Sequence, residues 1–135
     1  MYVDYTGGKS NLIEEDKKIT LDRTITDVSE TEAKVTFNVS MPEGTQRGWY
    51  NIVDRLPVNL RYSGGAANNS SYYVQNTEKQ FVELYFEYTP GQSVTLSYTA
   101  RVVSTGEATA ESAFISSGFR NGEIWGESGR SVYKP

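Results

Sequence analysis

Apolar residues recur in this chain at every second position. Ile19, Leu21 and Ile25 alternate with Thr20, Asp22, Thr24 and Thr26, which marks a strand with one buried face, because successive side chains of a strand point to opposite sides. Val35, Phe37, Val39 and Met41 repeat the pattern against Thr36, Asn38 and Ser40, and Pro42-Glu43-Gly44 ends that strand. Residues Trp49 to Leu56 read as a third strand, stopped by Pro57, since proline supplies no ladder donor. Val82, Leu84, Phe86 and Tyr88 form the next row, closed by a turn at Thr89-Pro90-Gly91 with Pro at its second position and Gly at its third. Val94, Leu96, Tyr98, Ala100 and Val102 give the longest alternation. Ala108, Ala110, Ser112 and Phe114 read as one further strand, and Ile124-Trp125 and Ser131-Val132-Tyr133 as short closing ones.

No window carries a 3.6-residue apolar period. Six or seven short strands separated by turn residues predict an all-β fold: two antiparallel sheets packed as an immunoglobulin-like sandwich, with a closed barrel as the competing architecture. The 135 residues hold one such domain, and aromatic residues at 13% argue for a buried core over a disordered chain. Residues 17–135 are expected to form the sandwich, and residues 1–16 a polar N-terminal arm whose Tyr2 and Val3 pair at a sheet edge. Residues 63–79, rich in Gly, Asn and Ser, read as a long loop. The abrupt start suggests a piece excised from a longer protein.

Several chemistries are excluded by composition. With no His and no Cys, the chain has no Ser-His-Asp or Cys-His nucleophile system and no thiolate or imidazole metal site. A net charge of −4 argues against a footprint for nucleic acid or an anionic membrane. No stretch reaches the ~18 apolar residues of a membrane span. The absence of cysteine rules out a disulfide framework without fixing a compartment.

The remaining motifs favour structural roles. Gly7-Gly8-Lys9-Ser10 lacks the earlier glycine, the preceding strand and the following helix of a phosphate loop. Glu14-Glu15-Asp16 lacks the alternating spacing of a calcium loop and runs into Lys17-Lys18. Asp54 falls in the apolar register of Ile52 and Leu56, as Arg23 does in that of Leu21 and Ile25. Isolated buried charges are costly, so Asp54 is expected to pair with Arg23 as a structural ion pair, to bond backbone amides near Pro57, or to turn outward at a bulge. A Lys–Asn isopeptide crosslink, promoted by a buried carboxylate, would need an inward lysine, and Lys18 and Lys34 sit at strand starts. Tyr5, Trp49-Tyr50 and Tyr72-Tyr73 offer aromatic area for a protein or sugar. Of these, Tyr72 and Tyr73 are the pair expected on an interaction loop.

The stretch from Gly48 onward resembles the C-terminal, receptor-binding-type domain of the alpha-2-macroglobulin and complement family, bacterial members above all. Tyr50 to Tyr62 is similar to its strand that ends in an aspartate and a Leu-Pro turn. Val94 to Glu107 is similar to its long strand and glycine turn, and Ala110 to Ser117 with Glu123 to Ser128 to its closing hairpin. The resemblance implies a terminal sandwich of a large secreted or surface protein. It carries over neither the thioester, since there is no Cys, nor the lysine-bearing receptor helix, since residues 63–79 are poorly suited to a helix.

The expected function is therefore a non-catalytic structural and protein-docking module, located outside the cell or in its envelope, with no cofactor and no metal. Its partners would be neighbouring domains of the parent or another protein, not nucleic acid or a membrane interior. The alternative is an adhesin-type stalk or ligand-binding repeat, carbohydrate included, of a bacterial surface protein.

Overall fold

The computed structural model describes residues 18–66, 72–77, 80–117 and 124–135. The expected N-terminal arm, with Gly7-Gly8-Lys9-Ser10 and Glu14-Glu15-Asp16, lies outside the described residues. Among those described there is no helix. The strands are β1 (Thr20–Asp27), β2 (Glu32–Ser40), β3 (Gly48–Arg55), β4 (Leu60–Ala66), β5 (Tyr72–Thr77), β6 (Phe81–Tyr88), β7 (Val94–Val102), β8 (Ala108–Ala110), β9 (Phe114–Ser117), β10 (Ile124–Glu127) and β11 (Ser131–Tyr133). One sheet has the order β1-β2-β7-β4 and the other β10-β9-β3-β6-β5, while β11 and β8 form a two-stranded ribbon. All pairings are antiparallel.

The inward rows are those of the alternation. Leu21, Val35, Phe37, Leu96, Tyr98 and Ala100 are buried on the first sheet, and Tyr50, Ile52, Val82, Leu84, Phe86 and Ile115 on the second. Each large apolar side chain removed from water in this way stabilises the fold by roughly 1.5–3 kcal/mol. Two separate sheets make the molecule a sandwich rather than a barrel. They meet along one side, where the Ile19 N–H donates to the Trp125 carbonyl at 2.8 Å. Gly126 permits that approach, because a Cβ there would collide with the Ile19 carbonyl oxygen. The turn after β6 forms as read, with Gln92 N–H donating to Thr89 O at 3.1 Å and Gly91 at φ 90°.

Two expectations are corrected. Residues 63–79 are not one long loop, since β4 runs on to Ala66 and Tyr72–Thr77 is a strand. Glycines hid β4, which absorbs Ser63-Gly64-Gly65 through a register shift between Tyr62 and Gly64, a bulge of the kind that glycine accommodates. Residues 108–114 are not one strand either. Ala108–Ala110 pairs with β11, whereas Phe114–Ser117 pairs with β3 and β10. The break at Glu111-Ser112-Ala113 shifts the phase, so that Ile115 and Ser117 are buried and Phe114 faces out. A one-residue slip exchanges the two faces of a strand.

Candidate docking face

Asp54 is 1% exposed. It lies opposite Val82 in an unbroken β3–β6 register, so no bulge turns it outward. The Arg23 guanidinium meets it across the core: Nη1 donates to Asp54 Oδ1 at 2.7 Å and to the Glu111 carbonyl at 2.6 Å. Nη2 donates to the Ala110 and Gly129 carbonyls at 3.1 and 3.3 Å. Tyr98 Oη donates to Asp54 Oδ2 at 2.5 Å. Sequence reasoning missed Tyr98; the available signal was a hydroxyl-bearing ring in the inward row of the longest alternation. Burial pushes the Asp54 carboxyl above its ordinary value, against the pull of the Arg23 charge and the hydrogen bonds from Tyr98, Arg23 and the Arg55 backbone. Burial, then the adjoining Asp54, holds Tyr98 well above the usual phenol value.

Both carboxylate oxygens of Asp54 are engaged, and it lines neither of the two surface hollows described below. This geometry ties β1, β3, β7 and the ribbon together and offers no open position for a reacting group. Lys18 and Lys34 are exposed, so neither presents the inward amine that an isopeptide crosslink requires. Asn59, buried beside the β3–β4 turn, is a second tie that the sequence did not reveal. Its Nδ2 donates to the carbonyls of Gly106 at 2.8 Å and Tyr133 at 3.2 Å. Tyr133 Oη in turn donates to Asp27 Oδ1 at 2.5 Å.

The surface divides by sheet. The outward side of the first sheet is lined with hydroxyls, among them Thr20, Thr24, Thr36, Thr95 and Thr99. The outward side of the second is aromatic. Trp49 and Phe114 are 43% and 39% exposed, and Val53, Phe81 and Tyr85 are half-buried. Cross-strand pairing aligns Phe114 with Val53, and Ser116 with Asn51 and Tyr85. Ser116 Oγ donates to Asn51 Oδ1 at 3.0 Å and Tyr85 Oη to Glu83 Oε2 at 2.8 Å, while the Arg55 guanidinium carbon lies 5.8 Å from the Phe81 ring centre. These contacts hold polar groups in set positions among the rings. At the Phe81 end, a hollow of about 530 Å³ is bounded by Arg55, Pro57, Val58, Phe81 and Glu111. A larger open groove of about 870 Å³ lies at the β6–β7 turn, lined by groups such as Asp22, Asn38, Glu43 and Gln92; its mixed, shallow lining brings no reactive groups together.

The pairing of β5 with β6 puts Tyr73 opposite Tyr85 and Tyr72 opposite Phe86. The two tyrosines thus stand on a strand at the end of the aromatic sheet, not on a loop as expected.

The chain superposes on the full-length major pilin SpaD of Corynebacterium diphtheriae with a TM-score of 0.60 and 13% identity, covering 84% of this chain and 34% of the pilin. It matches the collagen-binding domain of a Staphylococcus aureus adhesin at 0.53 and 12%, covering 85% of this chain and 97% of that domain. A non-cellulosomal cohesin from the archaeon Archaeoglobus fulgidus matches at 0.54 and 13%, with 87% and 90% covered. The fold is an immunoglobulin-like β-sandwich. Identities this low carry the architecture alone, since one fold hosts many functions. No family model and no curated protein matches the chain, and none of the three neighbours is a macroglobulin-family domain.

Proposed function

We propose that this chain is a non-catalytic docking module, a β-sandwich that lends a protein-binding face to a larger secreted or cell-envelope protein. The aromatic outward side of the five-stranded sheet carries this reading. Trp49 and Phe114 remain in water there, beside Val53, Phe81 and Tyr85, although burial against a partner would be favourable. Aromatic anchors with fixed polar neighbours make up the centre of protein interfaces. A net charge of −4 disfavours nucleic acid as the partner. The fold likeness to pilin, adhesin and cohesin domains supports the class and the location.

Two finer forms each rest on their own observation. The segments from Tyr50 onward support a terminal macroglobulin-like module that packs against its parent, and the pilin and adhesin neighbours support an adhesin-type stalk or ligand-binding repeat. The reading frame on both sides of the chain separates them. Unlike sandwiches upstream favour the first, and tandem copies leading to a wall anchor favour the second. The docking reading itself is tested by hydroxyl-radical footprinting of the isolated chain and of the intact parent protein in its native setting. Trp49 and Phe114 should be protected in the parent. Equal labelling in both would overturn the reading.

A further inference from the structure

We propose that β5 is a strand-addition edge and that its occupant is the β5 of a second copy of this chain. A sheet-terminal strand presents backbone N–H and C=O groups ready to pair with another chain. Among the described residues β5 is the last strand of its sheet and pairs on one side only, with β6. Among the described residues, the other three ends of the two larger sheets are managed. β1 and β10 close on each other through the Ile19–Trp125 hydrogen bond, and β4 carries the bulge between Tyr62 and Gly64.

Natural edges are blunted by charges, prolines or bulges. Tyr72-Tyr73-Val74-Gln75-Asn76-Thr77 has none of these: it holds no charged residue, no proline and no glycine, and it pairs with β6 without a register shift. The lack of charge selects the occupant. A basic or acidic segment would gain nothing electrostatically from this strand, whereas a neutral β-prone strand pairs without penalty, and the chain carries one. A two-fold axis normal to the sheet makes β5 antiparallel to its copy, so each patch meets itself. Residues facing each other across the axis must share a side of the sheet. Centred on Val74, that sets Tyr73 opposite Gln75 and Tyr72 opposite Asn76 of the second copy, and no like charges meet. The product is one continuous sheet in which the two aromatic faces lie side by side.

Sedimentation velocity of the full chain from about 1 to 100 μM tests this. The expected result is a concentration-dependent dimer with β5 amides that exchange more slowly as dimer forms. Gln75→Lys and Gln75→Glu should each weaken dimerisation roughly threefold or more, because the two like charges then lie diagonally across the axis, on the same side of the sheet. An equimolar mixture of the two variants should restore it. A chain that stays monomeric throughout, a dimer indifferent to both substitutions, or a mixture no tighter than either variant alone would each overturn the proposal. Far-UV circular dichroism checks that each variant is folded, and the exchange of wild-type β5 amides tests the site with no substitution at all.

Discussion

At Asp54 a single carboxylate joins three strands. Arg23 reaches it from β1 and Tyr98 from β7, and the side chains of the ion pair are each 2% exposed. Replacing Arg23 by Leu removes the countercharge and leaves the carboxylate dry, at a cost of about 3 kcal/mol at neutral pH. The pH dependence follows from the direction of the Asp54 shift. Its folded value is raised above 3.8, so protonation favours the folded state, and the stability it confers is full below that value and lost as pH rises through the folded value. Without Arg23 the shift grows. The deficit of the Leu variant should therefore shrink from pH 7.5 toward pH 4.5 in urea melts; an equal deficit at both would contradict this account of the pair. Tyrosines govern the alkaline side. Burial raises Tyr50 to about 12, with Tyr88 adding to it, and burial with the Asp27 hydrogen bond raises Tyr133 to about 12. Their contribution is complete below pH 10 and is lost as pH rises from 10 toward 12. Tyr133→Phe should flatten the fall in stability over that window, read from melts followed by phenolate absorbance.

Elements depend on close approaches that few residues allow. Gly126→Ala would press a methyl group into the Ile19 carbonyl, separating β10 from β1 at a cost of roughly 1–3 kcal/mol, with faster exchange of the Ile19 amide as the local sign. Asn59→Ala removes both hydrogen bonds that hold the end of the β7–β8 connection, at Gly106, and the end of β11, at Tyr133. The ribbon should open before the sandwich does. Amides of Ser131–Tyr133 would then exchange faster while those of β3 and β6 keep their rates, whereas uniform acceleration would mean that Asn59 supports the whole core. These elements also show where sequence reading stops. The alternation of β1, β2, β3, β6 and β7 is plain because each has a full row of large apolar residues. β4 was hidden by its glycines, β5 by its amides and hydroxyls, and the β8–β9 break by an alternation that continues across it.

For the whole molecule, the two outer faces differ in chemistry, one lined with hydroxyls and the other carrying exposed aromatic side chains. Trp49→Ser with Phe114→Ser should change stability by no more than about 1 kcal/mol, as surface substitutions do, while abolishing the protection of the aromatic face in the parent. Phe37→Ala, from the inward row, should cost about 3–5 kcal/mol. If the surface pair cost as much as Phe37, the aromatic rows would belong to the core and the docking reading would fail. Matched chemical denaturation of the variants makes the comparison.

From the sequence alone came the buried faces of the long strands, the Pro-Gly turn after β6, the sandwich architecture, and Arg23 and Asp54 as charges standing in apolar registers. All of these are local, because the side on which a residue lies follows from its place in a period of two. Strand order, the bulge in β4, the separate partners of β8 and β9, and the meeting of Arg23, Asp54 and Tyr98 came only from the tertiary structure. So did the choice of which sheet presents aromatic side chains to water. Asp54 lies 31 residues from Arg23 and 44 from Tyr98, and a period of two records that a strand has two faces without naming the strand beside it or what covers either face.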